Sequence, residues 1–109
     1  MTPQRWQRSR LPGARQPASC RYCGRGTKYG NDYEIQKQAT QYGMMVEREY
    51  ALTKFRQQMA DNLKHDPAYY DDLLNYDFIS CFCPLSLPCH CDPIIEHLKE
   101  RIKELELIP

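Results

Sequence analysis

The chain has 109 residues, 41% of them hydrophobic, with 8 Tyr against 3 Phe and 1 Trp, and a formal net charge of +1. That size permits one small domain with a thin, polar-edged core, the kind of scaffold that commonly needs a crosslink or a metal. No apolar run approaches the roughly 20 residues that span a bilayer, and residues 1–19 lack the apolar segment of a secretory signal.

The small net charge hides an asymmetry. Residues 1–30 hold seven of the 15 basic residues (Arg5, Arg8, Arg10, Arg15, Arg21, Arg25 and Lys28) and none of the 14 acidic ones. A basic start joined to an acidic body points to an arm that meets an acidic partner. Pro3, Pro12, Gly13 and Pro17 interrupt any amphipathic helix there, which argues against an organellar transit peptide. Residues 1–19 show no hydrophobic period and read as an extended basic arm; residues 20–109 read as a helical domain.

Cys20-Arg21-Tyr22-Cys23-Gly24 has the form of a zinc knuckle, two thiolates straddling a tight turn whose glycine lets the backbone fold back. Asn31 or Asp32 then caps a helix. Ile35, Ala39, Tyr42, Val46, Tyr50, Phe55, Met59 and Leu63 recur at mostly three- and four-residue steps and predict that helix over 33–65, with Gly43 as its weak point. Asp66-Pro67 is a start signal for a second helix to about residue 77, carrying Tyr69, Tyr70, Leu73, Leu74, Tyr76 and Phe78. Asp92-Pro93 repeats the signal, and Ile94, Ile95, Leu98, Ile102 and Leu105 predict a third helix to about Leu107. No segment reads as a strand. The expected fold is mostly α, a small helical hairpin plus a C-terminal helix, closed by a Cys-rich zinc site.

The chemistry concentrates between Cys81 and Cys91, where Cys81, Cys83, Cys89 and Cys91 make up four of the six cysteines. Pairs one or two residues apart place both sulfurs on one tetrahedral ion, and Zn2+ takes four such ligands. The simplest closed site takes Cys20 and Cys23 with two thiols of the loop, joining the chain's start to its far end. A site closed by the loop alone, or two ions sharing six thiolates, are the other solutions. Pro84 and Pro88 stiffen the loop. His90, between two cysteines, is expected to point away from the ion, and His97 to lie at the surface. Six cysteines also allow a disulfide framework with fifteen pairings, but the missing secretory signal weighs against it. Surplus thiolate closes the coordination sphere and argues against a catalytic zinc. Asp71 and Asp72 diverge on a helix, and no phosphate-binding loop follows a strand. The chain is therefore not expected to be an enzyme.

These features predict a non-catalytic, zinc-stabilised subunit of a large assembly, such as a mitochondrial ribosomal protein or a virion protein. Arg5, Arg8, Arg10 and Arg15 would contact phosphates of nucleic acid, RNA above all. Trp6 or Tyr22 would stack on an unpaired base, and Arg21, Arg25 and Lys28 would extend the surface. The acidic helices would dock on protein neighbours. One alternative is a cement protein of a capsid, respiratory complex or cytoskeletal lattice without nucleic-acid contact. The other is a thiol redox or disulfide-framework protein.

Overall fold

The computed structural model describes residues 2–24, 26–32, 41–83 and 85–106, with side chains for all of these but 41–47. Elements run β1 (Gln4–Gln7), β2 (Cys20–Tyr22), α1 (Gln41–His65), a 3-10 turn (Asp71–Asn75), β3 (Phe78–Cys81) and α2 (Cys91–Glu106). The strands form one parallel sheet in the order β1-β3-β2. Parallel pairing of β2 with β3 needs a long crossover, and α1 with the turns after it supplies that connection.

The expectation of a mostly α hairpin with an extended basic arm is overturned: among the described residues the chain is an α/β mix of two helices and a three-stranded sheet. The first residues are not an arm, because Gln4–Gln7 is an edge strand in register with Phe78–Cys81. The second predicted helix is a 3-10 turn that ends before Tyr76, whose backbone is extended (φ −115°, ψ 147°) and leads into β3. Strands of three or four residues show too little alternation to register as a period, and their partners lie far off in the sequence. Phe78-Ile79-Ser80-Cys81 is a short β-prone run that becomes a strand because edges on both sides satisfy its backbone.

As the central strand, β3 is covered on both faces, and Ile79, Ser80 and Cys81 are all buried. On one face, Ile79 and Cys81 join a single core cluster with Phe55 and Met59 of α1 and Ile94 and Leu98 of α2. The two helices also meet through Arg56–Glu96. On the other face Trp6 meets Phe78 edge-on, and the buried Ser80 hydroxyl donates to Gln16 Oε1 at 3.1 Å. The loop before β2 thus covers the second face.

The predicted stripe on α1 holds at Phe55 and Met59, with Leu63 packed against the core. It fails at Tyr50, which is exposed. The step from Tyr50 to Phe55 is five residues, out of helical phase, so the buried line runs instead through Ala51, Phe55 and Met59. The first turns of that helix, with Ile35 and Ala39, and the side chains of Tyr42 and Val46 lie outside the described residues, as does Leu107; the predicted caps Asn31 and Asp32 are bonded to the body of α1, Asn31 donating to the Ala51 carbonyl and the Asp32 N–H to Gln58 Oε1. Asp71 is not merely solvated: it pairs with Arg101 at 3.1 Å and ties the 3-10 turn to α2. His97 is half-buried edge-on against Tyr70, and that burial lowers its pKa from the usual imidazole range.

The buried face of α2 generates a direct check. Leu98→Ala is expected to cost roughly 2–5 kcal/mol, whereas Leu105→Ala, at an exposed site near the end of α2, should cost under about 1 kcal/mol. Urea unfolding followed by circular dichroism reads both, and equal losses would contradict this packing.

Candidate metal centre

Strand β3 ends at Cys81, and the chain then loops out and back to open α2 at Cys91. Along an extended chain, side chains two residues apart share a side, so Cys83 follows Cys81 toward the helices. The return leg is fixed by Asp92, whose Oδ2 accepts the Cys89 backbone N–H at 2.9 Å. A turn from the Asp92 N–H to the Cys89 carbonyl completes the entry into α2.

The result is a compact sulfur cluster of free thiols. The sulfurs of Cys81, Cys83 and Cys89 lie within 4.8 Å of one another. Those of Cys89 and Cys91, with a ring nitrogen of His90, form a second group of the same size. Cys89 belongs to both, and its sulfur stands 2.7 Å from that of Cys81. These are groups within metal-ligating distance. Hydrogen bonds from Cys83, Cys89 and Cys91 draw the Cys81 thiol far below its ordinary range. Cys89 is pushed up because it serves as donor to Cys81, and Cys91 is raised for the same reason. A cation bound among these thiols would displace their protons.

The other two sequence-predicted ligands do not join these groups. Cys20 pairs with Phe78, three residues before Cys81 on the central strand, about 10 Å away along the strand. The odd offset also turns its side chain to the opposite face. Cys23 is fully buried at the carboxyl end of β2, where its N–H donates to the Ser80 carbonyl. Burial pushes its thiol up to about 12. His90 turns its Nε2 to the Cys23 carbonyl and its Nδ1 toward the Cys89 sulfur at 3.6 Å, so it sits against the cluster instead of away from it.

Sequence reasoning missed the part of Arg5. Its side chain leaves β1 on the same face as Ile79 and reaches beneath the cysteine loop, where it is only 10% exposed. Nη1 donates to the Leu87 carbonyl at 2.8 Å and to Asp92 Oδ2 at 3.2 Å, and Nη2 to the Cys83 carbonyl at 3.4 Å. Desolvation works against its charge, but the attraction of Cys89, Asp92 and Cys81 outweighs it, and its pKa is raised. One cation therefore holds both legs of the loop and the start of α2. Arg48 adds a second, with Nη1 3.9 Å from the Cys83 sulfur.

The remaining predicted nucleic-acid residues divide. Trp6, Arg8 and Arg15 line one depression of about 420 Å³. The Arg8 guanidinium lies 4.7 Å from the Tyr22 ring centroid and Arg10 lies 4.1 Å from that of Phe82, and those two rings meet edge-on. Arg21 and Lys28 sit elsewhere, over Tyr29 and Tyr69. Arg25 lies outside the described residues. Phe82 was not singled out from sequence; its place directly after Cys81 on a strand end is the signal that was available.

The chain belongs to the family described as a domain of unknown function (DUF4326), whose model matches residues 6–100 and so takes in all six cysteines. No curated protein and no solved structure matches it.

Because Arg5 carries hydrogen bonds to both legs of the loop, Arg5→Ala is expected to cost roughly 1.5–3 kcal/mol and to speed alkylation of Cys83 and Cys89. Arg8→Ala should leave alkylation unchanged. Mass-spectrometric labelling rates read the difference, and identical rates in the two variants would refute the role given to Arg5.

Proposed function

We propose that this DUF4326 protein is a non-catalytic, zinc-stabilised binding module in which Cys81, Cys83, Cys89 and Cys91 hold one Zn2+ and the neighbouring basic-aromatic surface contacts single-stranded RNA. Zinc fits the donor set. Four thiolates at about 2.3 Å from the ion stand about 3.8 Å apart in a tetrahedron, a spacing inside the 4.8 Å envelope of the first group. The Cys81–Cys89 contact would have to open, and the Cys91 sulfur, grouped with Cys89 and His90, would have to close on Cys81 and Cys83. Four thiolates on a divalent ion leave a surplus negative charge, which Arg5, Arg48 and the amino end of α2 offset. A closed thiolate sphere has no position for a reacting water, which supports a structural role for the ion.

The observation that carries the RNA reading is the stacking of Arg8 and Arg10 on Tyr22 and Phe82 beside the sulfur loop. Cations and rings on one surface match the two needs of strand binding, phosphate neutralisation and base stacking. Trp6 and Arg15 continue it across the depression at β1. The module would serve as one subunit of a larger assembly.

Native mass spectrometry of purified protein should find one zinc per chain. Cys81→Ser and Cys89→Ser should lose it, and Cys20→Ser should keep it. Metal-free protein with all its thiols open to alkylation would favour the thiol-redox alternative. For RNA, anisotropy with a labelled single strand should show affinity falling with salt. Each of Arg8→Gln and Arg15→Gln should reduce the logarithmic slope by about 0.7, and Trp6→Ala should cost about 1–3 kcal/mol. Salt-independent binding, or none, would sink the RNA reading and leave an acidic protein as the partner.

A further inference from the structure

The carboxyl ends of β2 and β3 open onto a cavity of about 240 Å³. In sheets with parallel strands, this edge is where ligands sit, because the loops leaving the strand ends diverge there. Tyr22 ends β2 and forms one wall. A side chain at Gly24 would overlap its ring, so the glycine is what lets that ring lie against the backbone. Phe82, directly after β3, forms the adjoining wall. Ala51 and Leu52 of α1 and Pro88 of the cysteine loop close the apolar side.

The polar groups differ in kind. Arg10 and Arg48 both line the cavity, and among the described residues no carboxylate lines it. His90 and Asn31 lie beside them, oriented by the Cys23 and Ala51 carbonyls. A site with flat rings and aliphatic carbon on one side and two guanidinium groups on the other suits a flat aromatic body carrying an anion. Its volume falls below the roughly 300–1,000 Å³ of pockets for drug-sized ligands, which limits the occupant to about a base with its sugar, the phosphate remaining at the arginine side.

We infer that this cavity takes one nucleoside 5′-monophosphate unit, its base against Tyr22, Phe82 and Leu52 and its phosphate at Arg10 and Arg48. A free mononucleotide and the 5′-phosphorylated end of an RNA strand present the same chemistry. The inference rests on the reading of this edge as a nucleic-acid surface and names the unit it accepts. It also links the cavity to the metal centre, since Cys81, Cys83 and Cys89 form part of the same wall. Folding the sulfur loop and shaping the cavity are then one event.

The test uses zinc-loaded full-length protein. Calorimetry is run with the four nucleoside 5′-monophosphates, their nucleosides and inorganic phosphate, and anisotropy with one oligonucleotide bearing a 5′-phosphate or a 5′-hydroxyl. At least one monophosphate should bind one to one and at least tenfold more tightly than its nucleoside, with phosphate alone undetectable. Leu52→Trp, which fills the cavity, should abolish that binding while zinc content stays at one per chain. Arg10→Gln should bring monophosphate and nucleoside to equal affinity. If the ligand is a strand end, the 5′-phosphorylated oligonucleotide alone should lose affinity in Leu52→Trp; if it is a free nucleotide, neither oligonucleotide should. Failure of every monophosphate and of the 5′-phosphorylated strand to respond to Leu52→Trp overturns the cavity assignment. The surface reading is judged separately, by salt-dependent binding of the 5′-hydroxyl strand.

Discussion

The guanidinium of Arg5 ties together what the chain alone would leave apart. It arises from an edge strand at the beginning of the sequence, and its partners are the carbonyls of Cys83 and Leu87 and the carboxylate of Asp92. The loop needs hydrogen-bond partners for the Cys83 and Leu87 carbonyls and a counter-charge for Asp92. Arg5 meets both needs at once, because a guanidinium offers several donors in a fixed plane and stays charged when desolvated. That position explains why the edge strand matters despite its length: β1 carries the group that closes the loop.

The loop in turn joins the sulfur cluster to the cavity at the sheet edge. Cys81 ends the central strand, Cys91 begins α2, and Phe82, Cys83, Pro88, Cys89 and His90 between them line the cavity beside the sulfur cluster. A metal holding these thiols would fix Phe82 and Pro88 relative to Tyr22 across the sheet edge. Binding energy at such a site is also folding energy. Ligand affinity at the sheet edge and occupancy at the sulfur cluster would then be coupled through a few covalent bonds.

The same geometry redistributes the basic residues. A run of arginines without acidic neighbours reads as one solvated arm, but the sheet assigns them separate tasks. Arg5 is internal, Arg8 and Arg10 lie on rings, and Arg21 and Lys28 stand over the tyrosines beside the 3-10 turn. Tyrosine abundance has a similar account. Tyr29, Tyr69 and Tyr70 pack edge-on or tilted, and the Tyr70 hydroxyl accepts from Asn62 while Tyr69 donates to the Lys28 carbonyl. They fill a small core, and Tyr69 and Tyr70 keep their oxygens paired.

What the sequence determined by itself was local. The periodic positions Phe55 and Met59 specified a helix face, Asp92-Pro93 marked the start of α2 to within one residue, and the spacing of Cys81, Cys83, Cys89 and Cys91 brought sulfurs together inside one loop. Each depends on residues within a few turns of one another, where side-chain period and cap chemistry act directly. The sheet, the separation of Cys20 from the cluster and the use of Arg5 were decided only by the tertiary structure. All three follow from the parallel register of Gln4 and Cys20 with Phe78. A strand of three or four residues has too little pattern of its own to announce a partner so far away, and its pairing becomes favourable only when the helices have buried the central strand.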